Sequence, residues 1–255
     1  MNHEVYASGA MESRIHEAIT KRLEIKDVIE SISGRELAGD WFPYNPLGSD
    51  GGFDGVRVVG YERPYVHWID GQGARGKSDI REAQGKMPWR VDWSARWGLH
   101  EITCEPAGKD HGAAGGSYDT GIPISRILGY EPPAKMVYEW IQIKGGGPMS
   151  SSAGNTIGPI ETLEIVPPEI VRYLVARTKM SKHIDFDTGN MLFEIADEYE
   201  RLASNPPTLD PDSPRRKQVA AETALGALRM SQIKTAQDLG PVSYTHLTLP
   251  TKSSG

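Results

Sequence analysis

Two short stretches of this chain combine residue types suited to phosphates, ribose hydroxyls and proton transfer. The first is GKDH, residues 108–111, where Gly108 lets backbone approach a ligand while Asp110 and His111 offer a carboxylate and an imidazole. The second is GGGPMSSSAGN, residues 145–155, whose glycines give a pliable backbone and whose consecutive hydroxyls, Ser150, Ser151 and Ser152, could donate to a polyphosphate. On pattern alone GKDH also suits a tight turn with a surface aspartate, and the second stretch suits a Gly/Ser linker. Its place after a strongly apolar run, residues 137–143, and before a helical segment favours a ligand loop.

Strands and helices must position these groups. GLHEITCEP (98–106) predicts a strand, SYDTGIPISRILG (117–129) a helix and KMVYEWIQIKG (135–145) a second strand. That order suggests a right-handed crossover in a parallel sheet, with chemistry at the strand ends. Upstream, Ile15, Ile19, Leu23, Val28, Ile29 and Ile32 fall mostly at helical spacing, predicting one helix over 11–32 that stops at Gly34. Residues 41–80 read as a small antiparallel insertion with strands VRVVGY (56–61) and YVHWID (65–70). Beyond Pro167 and Pro168 three apolar stripes predict helices, the last two separated by a Pro-rich linker at 204–214.

Composition narrows the possibilities. The 255 residues carry a net charge of −6, so a nucleic-acid partner would have to meet a local basic face. Arg172, Arg177, Lys179, Lys182 and His183 could form one, a solvated helix face being the alternative reading. The single cysteine, Cys104, excludes an internal disulfide and any zinc site built from several thiolates. No apolar run reaches the roughly 20 residues of a membrane span, and the start lacks a secretory layout, so a cytoplasmic location is expected. The final stretch, VSYTHLTLPTKSSG (242–255), continues none of these patterns and resembles translated adapter read-through.

The segments PWRVDWSARW (88–97), TCEPAGKDHGAAGGSYDTG (103–121), GYEPP (129–133), YEWIQIKGGGPMSSSAGN (138–155), PPEIVRYLVARTKMSKHIDFD (167–187) and DEYERL (197–202) together resemble the class I lysyl-tRNA synthetases. The resemblance runs over about 86–202. It implies an α/β fold, a partial Rossmann-type parallel sheet with a small β-rich insertion and a C-terminal α-helical segment. The implied parts are a connecting insertion (1–85), the second half of the catalytic domain (86–165) and a tRNA-contacting helical region (166–241), with 242–255 expected to be a non-native tail.

The implied activity condenses lysine with Mg-ATP to lysyl-adenylate and passes lysine to the terminal adenosine of tRNA(Lys). By the same resemblance Gly108, Asp110, His111, Ile141, Gly154 and Asn155 would bind ATP, with Ile141 offering backbone groups to adenine. Met149, Ser150, Ser151 and Ser152 would form the catalytic signature loop. Trp93, Trp97 and His111 would shape the lysine pocket, with Asp92 or Asp119 as its carboxylate. Arg172, Arg177, Lys179 and Lys182 would face tRNA. For the two tryptophans ordinary core packing is an equal reading. Two alternatives to the whole assignment are a stand-alone nucleotide- or RNA-binding module and a class I synthetase for another amino acid such as glutamate.

Three features depart from the family pattern. The signature loop of class I synthetases usually carries at least one lysine, whereas the corresponding positions here are Pro148, Ser151 and Ala153, leaving Lys144 or Lys109 as substitutes. No His-x-Gly-His tetrapeptide occurs, so a truncated gene whose product is inactive alone is expected. Residues 42–80 hold no cysteine and His67 has no clear partners, so no metal is expected there.

Overall fold

A computed structural model describes residues 2–149, 154, 156–187 and 189–233. The chain divides into two compact units, Met1–Val137 and Tyr138–Gly255.

The first unit opens with α1 (Asn2–Ala7), α2 (Glu12–Thr20) and α3 (Arg22–Ser33). The helix expected over 11–32 is thus two helices. Thr20 turns its hydroxyl back onto the His16 carbonyl at 2.9 Å, a bond that bends helices, and Lys21 leaves helical geometry. The Lys21 ammonium then reaches both Glu17, at 3.0 Å, and the Ile127 carbonyl. Gly34 does end α3, in the left-handed conformation at φ 65°, where a side chain would be strained.

The insertion contains β1 (Asn45–Pro46), β2 (Arg57–Glu62), β3 (Tyr65–Ile69), β4 (Arg75–Asp79) and β5 (Gly85–Lys86). Strands β2, β3 and β4 form an antiparallel sheet, so both expected strands are present and RGKSD adds a third that its polar composition hid. Gly76 lies under Trp68, where a Cβ would come within 2.3 Å of the ring. Two polar contacts one helical turn apart fasten this sheet to α2. Arg63 grips Glu12 with two hydrogen bonds of 2.8 and 3.1 Å, and the Tyr61 hydroxyl meets His16 Nδ1 at 2.8 Å.

Next come α4 (Trp89–Leu99), β6 (Cys104–Gly108), α5 (Lys109–Gly112), α6 (Ser117–Ile127) and β7 (Ala134–Tyr138). The strand expected at 98–106 is displaced. Its first residues close α4 instead, with Glu101 at φ 51° and the Ile102 N–H donating to the Trp97 carbonyl at 2.9 Å. Ile102 therefore serves as the apolar contact of a helix cap rather than as strand core. Strands β6 and β7 are neighbours, with the expected helix α6 between them in sequence. Met11, Ile15, Ile19, Ile25, Ile29, Val66, Val91 and Ile124 are buried in one core that joins the N-terminal helices, the insertion, α4 and α6.

In the second unit β8 (Ile141–Ile143), β9 (Gly147–Pro148), α7 (Pro159–Ile165), α8 (Pro168–Arg177), β10 (Ile184–Phe186), α9 (Asn190–Ser204) and α10 (Arg215–Ser231) follow. The strand expected over 135–145 is therefore two, β7 and β8, which join different sheets. β8 pairs in parallel with β10, Ile141 opposite Ile184 and Ile143 opposite Phe186. The three expected helices are α8, α9 and α10. They enclose a second core of Ile170, Tyr173, Leu174, Leu192, Ile195, Tyr199 and Leu228, onto which Ile184 and Phe186 also pack.

Candidate active site

Trp89, Trp93 and Trp97 recur every four residues, so helix α4 stacks them along one face. Trp97 is 2% exposed, Trp93 7% and Trp89 50%, which grades the row from core to surface. The Trp89 and Trp93 rings stack at 5.5 Å with 15° between their planes, and Trp93 meets Trp97 at 4.8 Å. His111, on α5, closes over the outer pair at 5.9 Å from Trp89 and 5.7 Å from Trp93. Tyr118, on α6, stands edge-on to Trp93 at 5.0 Å.

Polar bonds fix this aromatic face. The Ser117 hydroxyl accepts the Trp89 indole N–H at 3.4 Å and lies 3.2 Å from His111 Nδ1. With one lone pair so occupied, its own proton is available to Nδ1, which would place the ring proton on Nε2. Arg90 reaches from α4 to the Gly116 carbonyl at 3.0 Å and the Thr120 hydroxyl at 2.7 Å, holding the start of α6 in place. Burial lowers the pKa of Arg90 from its usual range, and the two acceptors compensate its desolvation.

The other side of α4 carries a charge network. The Tyr6 hydroxyl donates to Asp92 at 2.6 Å and accepts the Met87 N–H at 3.1 Å, while Arg96 pairs with Asp92 at 2.8 Å. Burial, then the neighbouring Asp92 charge, pushes the Tyr6 phenol far above its ordinary pKa, so it remains a donor at any physiological pH. Trp89, Asp92 and Arg96 also border a cavity of about 380 Å³ with Tyr6, Phe53, Lys86 and Met87.

The first unit thus brings Trp93, Trp97 and His111 together. Gly108 immediately precedes α5, and Asp110 is exposed on that helix. Asp119 accepts the Gly115 N–H at 3.1 Å and pairs with Lys135 at 3.2 Å. Sequence reasoning missed Trp89 and Ser117. The spacing of four from Trp93 was the available sign for Trp89; nothing in the sequence singled out Ser117.

In the second unit Ile141 starts β8 with its side chain 46% exposed, and Met149 packs against the core. Gly154 has φ 67° and open space where a Cβ would stand. Ser150, Ser151, Ser152 and Asn155 lie outside the described residues. Lys144, at the root of this segment, pairs with Asp187 at 3.0 Å, and that carboxylate holds its pKa above the usual lysine range. Asp187 is lowered by the Gly189 N–H and then by Lys144. Arg172 donates twice to the Met230 carbonyl, at 3.0 and 2.6 Å, and caps α10; Arg177 pairs with Glu198 at 2.9 Å. Lys179 and Lys182 are exposed.

Among the described residues no group of three His, Cys, Asp or Glu side chains could hold a metal ion, and no helix is long and apolar enough to cross a membrane.

Comparison with known proteins supplies what geometry alone cannot. The lysine–tRNA ligase of Thermoplasma volcanium is 46% identical over 200 residues, covering 78% of this chain and 40% of that protein. That of Archaeoglobus fulgidus is 43% identical over 200 residues, again 78% and 40%. The lysine–tRNA ligase of Methanosarcina barkeri strain Fusaro is 39% identical over 262 residues, 99% of this chain and 49% of that protein. The chain therefore spans about 40–50% of the length of these relatives. The sequence profile of the family described as tRNA synthetases class I (K) matches residues 1–227, which takes in every helix of the first unit, β8, β10 and most of α10, and the chain belongs to that family.

Proposed function

We propose that this chain carries part of the catalytic domain of a lysine–tRNA ligase, together with the first helices of its tRNA-contacting region. The reaction activates the lysine carboxylate with ATP, releasing pyrophosphate, and transfers lysine to tRNA(Lys). The aromatic face of Trp89, Trp93 and His111 is the observation that carries the amino-acid assignment. A half-exposed indole stacked on a buried one suits the long apolar stem and ammonium of lysine, through apolar contact and cation–π attraction. The short thiol of cysteine or the carboxylate of glutamate would gain neither.

In this reading β6, α6 and β7 belong to the second half of a Rossmann-type sheet. Gly108, Asp110 and His111, at the end of β6 and on α5, would then face nucleotide ribose and substrate, as strand ends do in such folds. Ile141, Gly154 and Asn155 would complete the ATP contacts, and Met149 with the three serines would steady charge on the transferring phosphates. Mg2+ would arrive bound to the triphosphate oxygens, since the described side chains offer it no cage of their own. With Lys144 held by Asp187, the hydroxyls and backbone of the loop would carry the phosphate contacts unless that ion pair opens. A cytoplasmic setting, with tRNA at hand, fits this role.

Because the chain spans less than half the length of each of these relatives, binding is the direct readout. Titrating the 255-residue chain with L-lysine should change its tryptophan emission saturably, while L-glutamate and L-cysteine leave it unchanged. A response to glutamate in place of lysine would reassign the amino acid, and silence toward all three would remove the assignment.

The tRNA side has its own test. Arg172 and Arg177 are engaged within the helical unit, which leaves Lys179 and Lys182 as the better phosphate contacts. Replacing both lysines with alanine should weaken tRNA binding and flatten the plot of log affinity against log salt by about 1 per lysine. Arg172→Ala should instead lower the thermal midpoint by uncapping α10. An unchanged salt slope in the double lysine variant would place the tRNA elsewhere.

A further inference from the structure

We propose that Glu105 supplies the carboxylate that receives the lysine ε-ammonium, an inference that rests on the reading of Trp89, Trp93 and His111 as the lysine site. An ammonium leaving water for an aromatic face needs a carboxylate whose charge is not already cancelled. Two acids suggested by sequence fail that requirement. Both oxygens of Asp92 are taken, one by the Tyr6 hydroxyl at 2.6 Å and one by Arg96 at 2.8 Å. Both oxygens of Asp119 are taken as well, one by the Gly115 N–H at 3.1 Å and one by the Lys135 ammonium at 3.2 Å.

Glu105 is different. Along β6 the side chains alternate, so Cys104 and Pro106 face out while Glu105 and Ala107 turn inward. Ala107 belongs to the cluster of Trp93, Trp97 and Tyr118, which puts Glu105 on the same side. Its carboxylate accepts the Trp93 indole N–H at 3.3 Å, and the Tyr118 hydroxyl donates to its main-chain carbonyl. Both donors are neutral. They orient a half-buried carboxylate and leave its charge in place, at the edge of the ring that lies beneath Trp89 and beside His111. The molecule already uses this arrangement once on a lysine of its own: the Lys135 ammonium sits 5.3 Å from the Tyr118 ring centre while pairing with Asp119.

The experiment measures binding of L-lysine and of L-norleucine, which lacks the amine, to the 255-residue chain by calorimetry or tryptophan emission. Glu105→Gln keeps an acceptor for the Trp93 N–H and removes the charge. It should weaken lysine binding on the order of 10–100-fold, the range for a charged hydrogen bond, and leave norleucine unchanged, so that selectivity for lysine collapses. Glu105→Asp, which keeps the charge one methylene away, should recover part of the loss and guards against misfolding of the glutamine variant. Asp119→Asn should have a much smaller effect. Lysine binding unchanged in Glu105→Gln, or lost more in Asp119→Asn, would overturn the assignment to Glu105 while leaving the lysine site standing. Failure of the unaltered chain to bind lysine would overturn the functional reading and this inference with it.

Discussion

Trp97→Ala should lower the unfolding free energy of the first unit by about 3–5 kcal/mol, the usual cost of emptying a buried tryptophan site. Only 2% of Trp97 is exposed, and its ring fills the space between Trp93, Tyr118 and α6. The fit is close enough that a Cβ on Gly121 would stand 2.8 Å from the Trp97 ring, so α6 cannot move in to fill a void without disturbing its own backbone. Trp97→Phe should cost much less, because the buried indole N–H of Trp97 has no hydrogen-bond partner to lose. Urea unfolding followed by circular dichroism measures both. The phenylalanine variant should also bind lysine as the unaltered chain does, since a ring so deeply buried supports the site without touching a ligand. A loss of lysine affinity in that variant, with stability retained, would restore Trp97 to the recognition face.

Asp92→Ala is expected to be nearly as damaging, at about 3 kcal/mol, because it abandons two partners rather than one. The Arg96 guanidinium, 19% exposed, would lose the carboxylate it pairs with at 2.8 Å. The Tyr6 hydroxyl would lose its acceptor while still accepting from Met87 N–H. Tyr6→Phe removes the bridge but leaves the Asp92–Arg96 pair, and should cost about 1–3 kcal/mol. Thermal and urea unfolding of the two single variants and the double variant would show the coupling directly. Losses that simply add would mean that the bridge contributes nothing beyond its parts.

Much of this fold was legible because hydrophobic spacing reports directly on helices and on hairpins. Helices α6, α8, α9 and α10 and strands β2 and β3 follow the expected positions closely. Errors arose where one apolar residue could serve two ends. Ile102 looked like the middle of a strand and proved to be the apolar contact of the α4 cap. The run from Met136 to Ile143 is apolar apart from Glu139 and Gln142, and nothing in its composition shows that β7 pairs with β6 while β8 pairs with β10. β10 itself is only three residues long, too short for alternation to register.

The site was legible in its residue types and not in its pairings. Trp93, Trp97 and His111 do meet, yet only coordinates distinguish a ring at 2% exposure from one at 50%. Charge pairing was hidden for the same reason. Asp92 and Arg96 stand four apart, which suggests an ion pair, but Tyr6 enters from 86 residues away. The partnership of Arg172 with the Met230 carbonyl, 58 residues distant, likewise ties that side chain to the end of α10 in a way no local spacing announces.

The double fastening of the β-sheet to α2, by Glu12 to Arg63 and His16 to Tyr61, has a mechanical consequence. A single contact would act as a pivot; two, spaced one turn along a helix, resist torque. A load applied to the outer edge of β2–β4 would therefore turn α2 as a lever instead of swinging the sheet alone. The buried residues of α2 and α3 lie in one core with Val91 of α4 and Ile124 of α6, so that leverage would reach the very helices that hold the tryptophan row and Tyr118.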